Sequence, residues 1–233
     1  MTRLIPSHSR LFAALACTAL LVACRQDPAP EPAGDAAPAQ GAAPASAEDA
    51  AATTALAWGK SVAWDGDLNA CRQGTEAAAR ECLLDAMRSG GASQEAVTAA
   101  SQLSSAGELA YVSAWHEQDG IGVATVTWPF RANTNQGTRL IDAKGQRIDV
   151  DADPLAGDAA ADPAVQALAA AHPGAAAFPP AQAAGTSPLE GGGISLLYRT
   201  PLRECHACAD VAHVQQAYDF DAQRTFIGSR VVP

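Results

Sequence analysis

The densest run of chemically capable side chains is Glu204-Cys205-His206-Ala207-Cys208-Ala209-Asp210-Val211-Ala212-His213. Two thiols three residues apart, with an imidazole between them, suit three kinds of chemistry. As a dithiol couple, Cys205 would be a nucleophile whose pKa the neighbouring His206 helps to lower. As a metal site, Cys205, His206, Cys208 and His213 are all donors suited to zinc or copper. As a structural element, the two sulfurs would close a tight disulfide at a turn and leave both histidines in solvent.

Context ranks these readings. A thioredoxin-like enzyme places its dithiol early and needs further strands and a helix afterwards, whereas only 25 residues follow Cys208. Cys-x-x-Cys alone is half a zinc site, and adjacent residues such as Cys205 and His206 point to opposite sides of a strand. Covalent haem attachment would need His where Ala209 stands. The structural disulfide is therefore the leading expectation, with redox exchange and then metal handling as alternatives, and no cofactor is expected.

A second segment, Trp128-Pro-Phe-Arg-Ala-Asn-Thr-Asn-Gln-Gly137, runs from an aromatic strand end into a polar cluster. Arg131, Asn133 and Asn135 are candidates for a polar ligand site, against the alternative that they hydrogen-bond a long turn. His116, Glu117 and Asp119 fall at a hairpin tip, where solvated charge accounts for them. The chain carries no Gly-rich phosphate loop, serine-nucleophile elbow or two-histidine zinc-protease motif. No catalytic residue is assigned, and a non-enzymatic role is favoured.

The elements that must position these groups read as follows. Leu68 to Ser89 has helical spacing at Ala79, Leu83, Ala86 and Met87, stopped by Gly90-Gly91. Ser93 caps a second helix from Gln94 to Leu103, with Ala96, Val97, Ala100 and Leu103 on one face. Leu109 to His116 and Ile121 to Phe130 flank Asp119-Gly120 as a hairpin. Arg139 to Asp142 and Gln146 to Val150 form a second, with Ile148 and Val150 sharing a face. Asp162-Pro163 starts a short helix to about Ala171, and Pro and Gly make 175–193 a long loop. Strands return at Ile194 to Thr200, Val211 to Phe220 and Thr225 to Val232. Helices followed by hairpins predict an α+β domain, an N-terminal helical pair packed on a mostly antiparallel sheet.

The N-terminus has a different character. Arg3 and Arg10 precede the apolar run Leu11 to Ala23, which at about a dozen residues reaches roughly 20 Å and falls short of a roughly 30 Å bilayer core. Leu21-Val22-Ala23-Cys24 resembles the lipobox of bacterial lipoproteins, and that resemblance implies cleavage before Cys24 and lipidation of its thiol. Arg25 in place of Asp at the next position implies sorting to the outer membrane, facing the periplasm. Residues 24–52 are almost wholly Ala, Pro, Gly, Ser and acids, a composition expected of a disordered tether. This leaves 1–23 as signal peptide, 24–52 as tether and 53–233 as one domain.

Six cysteines occur in all. With Cys17 in the signal and Cys24 taken by lipid, Cys71, Cys82, Cys205 and Cys208 remain. An oxidising compartment makes them disulfides, and of three pairings the local one, Cys71 to Cys82 and Cys205 to Cys208, is favoured, although the crossed pairings satisfy the same count. Loss of the signal removes two arginines and no acid, taking the formal charge from -10 to -12. Nucleic acid is thus not an expected partner, since binding it requires clustered cations. Partners are the membrane, through the anchor, and an unidentified protein or small molecule. The body, through Trp-Pro-Phe-Arg-Ala-Asn-Thr-Asn, Cys-His-Ala-Cys and Tyr-Asp-Phe-Asp, resembles bacterial exported proteins of unknown function, which implies no activity.

Overall fold

Thr75 is the N-cap of the first α-helix among the described residues. Its side chain accepts a hydrogen bond from the Ala78 N–H at 3.3 Å, and Glu76 follows in the positively polarised first turn. Helix α1 accordingly spans Glu76–Ser89 and stops at Gly90. This corrects the expected start at Leu68. On one continuous helix Cys71 and Cys82 would lie roughly 16 Å apart. Their Cα atoms are 5.5 Å apart and their sulfurs are bonded, so Cys71 lies beside α1 and not on an extension of it. Helix α2, Gln94–Ser105, begins at Ser93, whose Oγ accepts from the Ala96 N–H at 2.9 Å, and it buries Ala96, Val97, Ala99, Ala100 and Leu103.

In this computed structural model, residues 56–66, 68, 71, 75–132 and 135–232 are described. They form an α+β fold with two wholly antiparallel sheets where one was expected, and the helical pair follows a 3-10 turn at Lys60–Val62. The first sheet has the order β1-β2-β3-β4, with β1 at Tyr111–Gln118, β2 at Ile121–Thr127, β3 at Gln136–Ile141 and β4 at Arg147–Asp149. Asp119 and Gly120 both have positive φ, 52° and 81°. The β1–β2 connection is thus the two-residue turn whose twist matches the strands it joins.

The second sheet contains β5 (Ala176–Ala177), β6 (Gln182–Pro188), β7 (Ile194–Arg203), β8 (Ala212–Phe220) and β9 (Phe226–Val232), with β5 and β6 both paired to β7. Between the sheets in sequence lies α3, Pro163–Ala171, capped by Asp162 onto the Ala164 N–H at 2.8 Å. Strands β5 and β6 correct the expected loop at 175–193. Strand β6 is exposed along nearly its whole length and is held by backbone pairing to β7 with little burial. Its Ala, Gly, Ser and Pro side chains leave no alternating apolar trace to read.

Strand β2 explains the layering. Ile121 and Val123 pack with Leu140, Ile148 and Val150 of their own sheet and its flank against Leu196, Tyr198, Tyr218 and Phe220 of the other. Ala124 and Val126 face the opposite way, onto Ala99 and Leu103 of α2 and Trp58. The first sheet is therefore covered on both faces, by helices on one and by the second sheet on the other. Burying side chains of this size contributes about 1.5–3 kcal/mol each.

Polar bonds at the turns lock the sheets together. Buried Asp142 accepts from the Lys144 and Gln146 N–H groups, at 2.9 and 2.8 Å, and from the Phe226 N–H across the sheet junction at 3.1 Å. Arg224, itself at φ 64°, donates from Nε to the Asp119 carbonyl at 2.6 Å and from a terminal nitrogen to the Gly192 carbonyl at 3.1 Å. Its own carbonyl accepts from the Ala143 N–H at 2.9 Å. Among the described residues no helix is long and apolar enough to cross a membrane.

Candidate functional site

Trp128, just past β2, is the floor of a cleft of about 290 Å³ lined by Glu108, Arg131, Gln136, Arg139, Asp149, Asp151 and Pro179. The ring reaches that position because Gly137 of β3 has no side chain: a Cβ there would meet the Trp128 ring at 2.6 Å and the Asp151 carboxylate at 2.7 Å. The turn from β2 to β3 is closed by Trp128 N–H donating to the Asn135 carbonyl at 2.7 Å. Trp128 Nε1–H donates to Glu108 Oε2 at 3.1 Å, fixing the ring's orientation.

Two guanidinium groups lie over this ring, Arg131 at 4.2 Å and Arg139 at 5.6 Å from its centre. Both are within range of attraction to the negative ring face. Their circumstances differ. Arg139 is buried and neutralised by Asp149 at 2.6 Å and Glu108 at 3.3 Å. Arg131 is exposed, and among the described residues no carboxylate forms an ion pair with it.

Asp151 sits deeper and ties the sheets together, its carboxylate accepting from Thr138 N–H at 2.5 Å and Ala181 N–H at 2.6 Å. Burial pushes its carboxyl above the ordinary range; the two N–H donors oppose that, Asp149's charge adds to it, and Arg139's opposes it. Burial, then the Asp151 charge, pushes the Tyr198 phenol up to about 12, and burial raises Tyr218 too. These phenols do not ionise near neutrality. The cleft is thus a preorganised polar recess with one unpaired cation at its rim, suited to holding a small polar molecule.

The Cys-His-Ala-Cys segment forms the tip of the β7–β8 hairpin. Cys205 and Cys208 are joined, S–S 2.07 Å, as are Cys71 and Cys82, S–S 2.05 Å, so the pairing is the local one. The four metal-donor candidates have other partners here: the sulfurs bind each other, His206 packs edge-on against Phe178 at 5.9 Å, and His213 Nε2 meets Asp210 Oδ2 at 3.2 Å. Among the described residues no group of three or more His, Cys, Asp or Glu is arranged to hold a metal ion. Asp210 is held below the ordinary carboxylate range chiefly by its hydrogen bond from Arg203 Nε at 2.6 Å.

Of the three residues expected to form a polar site, Arg131 reaches the cleft. Asn135 contributes its backbone to the turn and does not line the recess. Asn133 lies outside the described residues, as do Cys24 and the expected signal and tether segments. Sequence reasoning missed Glu108, Arg139, Asp149 and Asp151, which come from three separate segments. The one local signal was Gly137, since a glycine inside a strand marks a close approach of another group. No family model, curated protein or solved structure matches the chain.

Proposed function

We propose that this chain is an exported, lipid-anchored binding domain, held by a lipidated Cys24 at the periplasmic face of the outer membrane, with the Trp128 cleft as its ligand site. The observation that carries the site is Arg131: a guanidinium stacked on a fixed indole at the mouth of a recess, without the carboxylate partners that neutralise Arg139. Such a group binds an anionic oxygen pair in a fork. Glu108 and Asp149, both lining the cleft, each keep one carboxylate oxygen outside the bonds to Arg139, Trp128 and the Asp151 N–H, leaving it available to hydrogen-bond donors on the ligand. The ligand class is therefore a small carboxylate that also carries amino or hydroxyl groups. The reading is one of capture, with the carboxylates serving as ligand contacts.

The test is a titration of the full chain with glycine, gluconate and acetate, following the Trp128 indole N–H by NMR. Saturable shifts with glycine or gluconate, abolished in Arg131→Ala, are expected, with acetate weaker. Absence of saturation with all three, or saturation unchanged in Arg131→Ala, refutes the site. The anchor is tested separately by the intact mass of protein extracted from membranes. A mass corresponding to residues 24–233 plus lipid is expected, and an unmodified Cys24 refutes it.

A further inference from the structure

We infer that the Cys205–Cys208 disulfide at the β7–β8 tip is a reversible thiol–disulfide exchange site, open to an external dithiol while the rest of the fold stays intact. Two observations lead there. The first is access: Glu204, Cys205, His206 and Ala207 are all exposed, and Cys208 is half-buried. Exchange requires an incoming thiolate to reach one sulfur along the S–S axis, so access decides which disulfides react. Val211, one of two large apolar side chains exposed among the described residues, stands three positions beyond Cys208 and offers an apolar contact to a reagent docking there.

The second is that the hairpin end does not depend on the covalent bond. The Cys208 N–H donates to the Cys205 carbonyl at 3.1 Å, closing the turn through the backbone. Arg203 and Asp210 pair across its base at 2.6 Å, and the Val211 N–H donates to the Leu202 carbonyl at 2.9 Å. Strand pairing continues to Leu202 opposite Ala212, and the Arg203 guanidinium lies 5.6 Å over the Phe178 ring, pinning the neighbouring segment. Opening the S–S bond leaves each of these contacts in place.

The chemistry balances with a dithiol as the named reductant. One donor thiolate attacks Cys205, the more exposed residue, forming a mixed disulfide and expelling the Cys208 thiolate. The second donor thiolate then attacks the donor sulfur of that mixed disulfide and releases the Cys205 thiolate. The donor leaves as a disulfide, having given up two electrons, and Cys205 and Cys208 take up its two protons as thiols. The reverse sequence, driven by an oxidised donor, restores the bond.

Full-length protein is treated with dithiothreitol at neutral pH without denaturant, quenched over time with an alkylating reagent and mapped by mass spectrometry, with circular dichroism recorded in parallel. Cys205 and Cys208 should become alkylated at least about tenfold faster than Cys71 and Cys82, with unchanged far-UV and near-UV spectra. Oxidised glutathione should then restore the bond. Simultaneous reduction of both pairs, loss of near-UV signal as Cys205 reacts, or failure to reoxidise overturns the inference. The Cys205→Ser, Cys208→Ser variant gives an independent reading. It should retain the folded spectra, and a variant that does not fold overturns the claim that the hairpin end stands without its bond.

Discussion

The two disulfides lie in opposite settings. Cys71 is 1 % exposed and belongs to the cluster of Trp64, Leu83, Met87 and Val97 beneath the helices, tying an irregular segment to α1. Cys205 and Cys208 close a turn in solvent that backbone and ionic contacts already close. Chain-entropy arguments give about 2.8 kcal/mol for a loop of a dozen residues and about 1.9 kcal/mol for one of four, so loop length alone separates them by only about 1 kcal/mol. Burial makes the larger distinction: Cys71 is interior and Cys82 half-buried within the helical cluster, whereas Cys205 is exposed and Cys208 half-buried, so the first pair contributes packing that the second does not.

The largest effect should follow from breaking the buried pair. Cys71→Ala with Cys82→Ala is expected to cost about 3–5 kcal/mol, combining the lost cross-link with a cavity among Trp64, Leu83 and Met87. Urea unfolding monitored by circular dichroism measures it. A cost below that of the hairpin variant would reverse the ranking of the two bonds. Cys205→Ser with Cys208→Ser should come next, at about 2 kcal/mol in the same assay.

Smaller again is Arg203→Ala, which removes an exposed ion pair and should cost less than either disulfide. It sharpens the contrast through coupling. In a double-mutant cycle with the Cys205→Ser, Cys208→Ser background, its cost should rise, because the ion pair then holds the hairpin base without covalent help. Additive costs would mean the two restraints do not substitute for one another.

The smallest effect separates regions by pH. Asp210 is depressed by Arg203. Its contribution is therefore present above the ordinary carboxylate range and is lost as pH falls through its lowered value, below about pH 4. Asp151 is raised by burial. Its contribution is fully present below that range and is lost as pH rises through its raised value, above about pH 4. Asp210→Asn should therefore flatten the acid limb of a stability–pH curve. Asp151→Asn should remove the decline on the other side. Urea midpoints across the acid range up to neutrality resolve the two, and a shared limb would contradict the assigned causes.

What the sequence disclosed was local. Ser93 and Asp162 announced helix starts because a cap acts within three residues. Asp119-Gly120 announced a hairpin because both turn residues must take positive φ. The local cysteine pairing was among three readable options, and the structure selects it. What stayed hidden was non-local: β6 exists because β7 lends it hydrogen bonds, not because of its own side chains. The same holds for the cleft, where Glu108, Arg139, Asp149 and Asp151 converge from a loop, two strands and the segment after them. Arg131 was legible because it sits in an unusual run. Arg139 looked like any strand arginine until its partners were in place.

Arg224 has a consequence for how the turns of the first sheet are held. The carbonyl of Asp119 and the N–H of Ala143, both at the turns of the first sheet, find their partners on a residue 105 positions after the earlier of them. The first sheet closes its turns with its own residues, and the β8–β9 turn adds a second set of bonds that joins those turns to one another. One arginine near the C-terminus thus acts as a fastener between two turns of a sheet built about a hundred residues earlier, so its loss is felt at both of them at once.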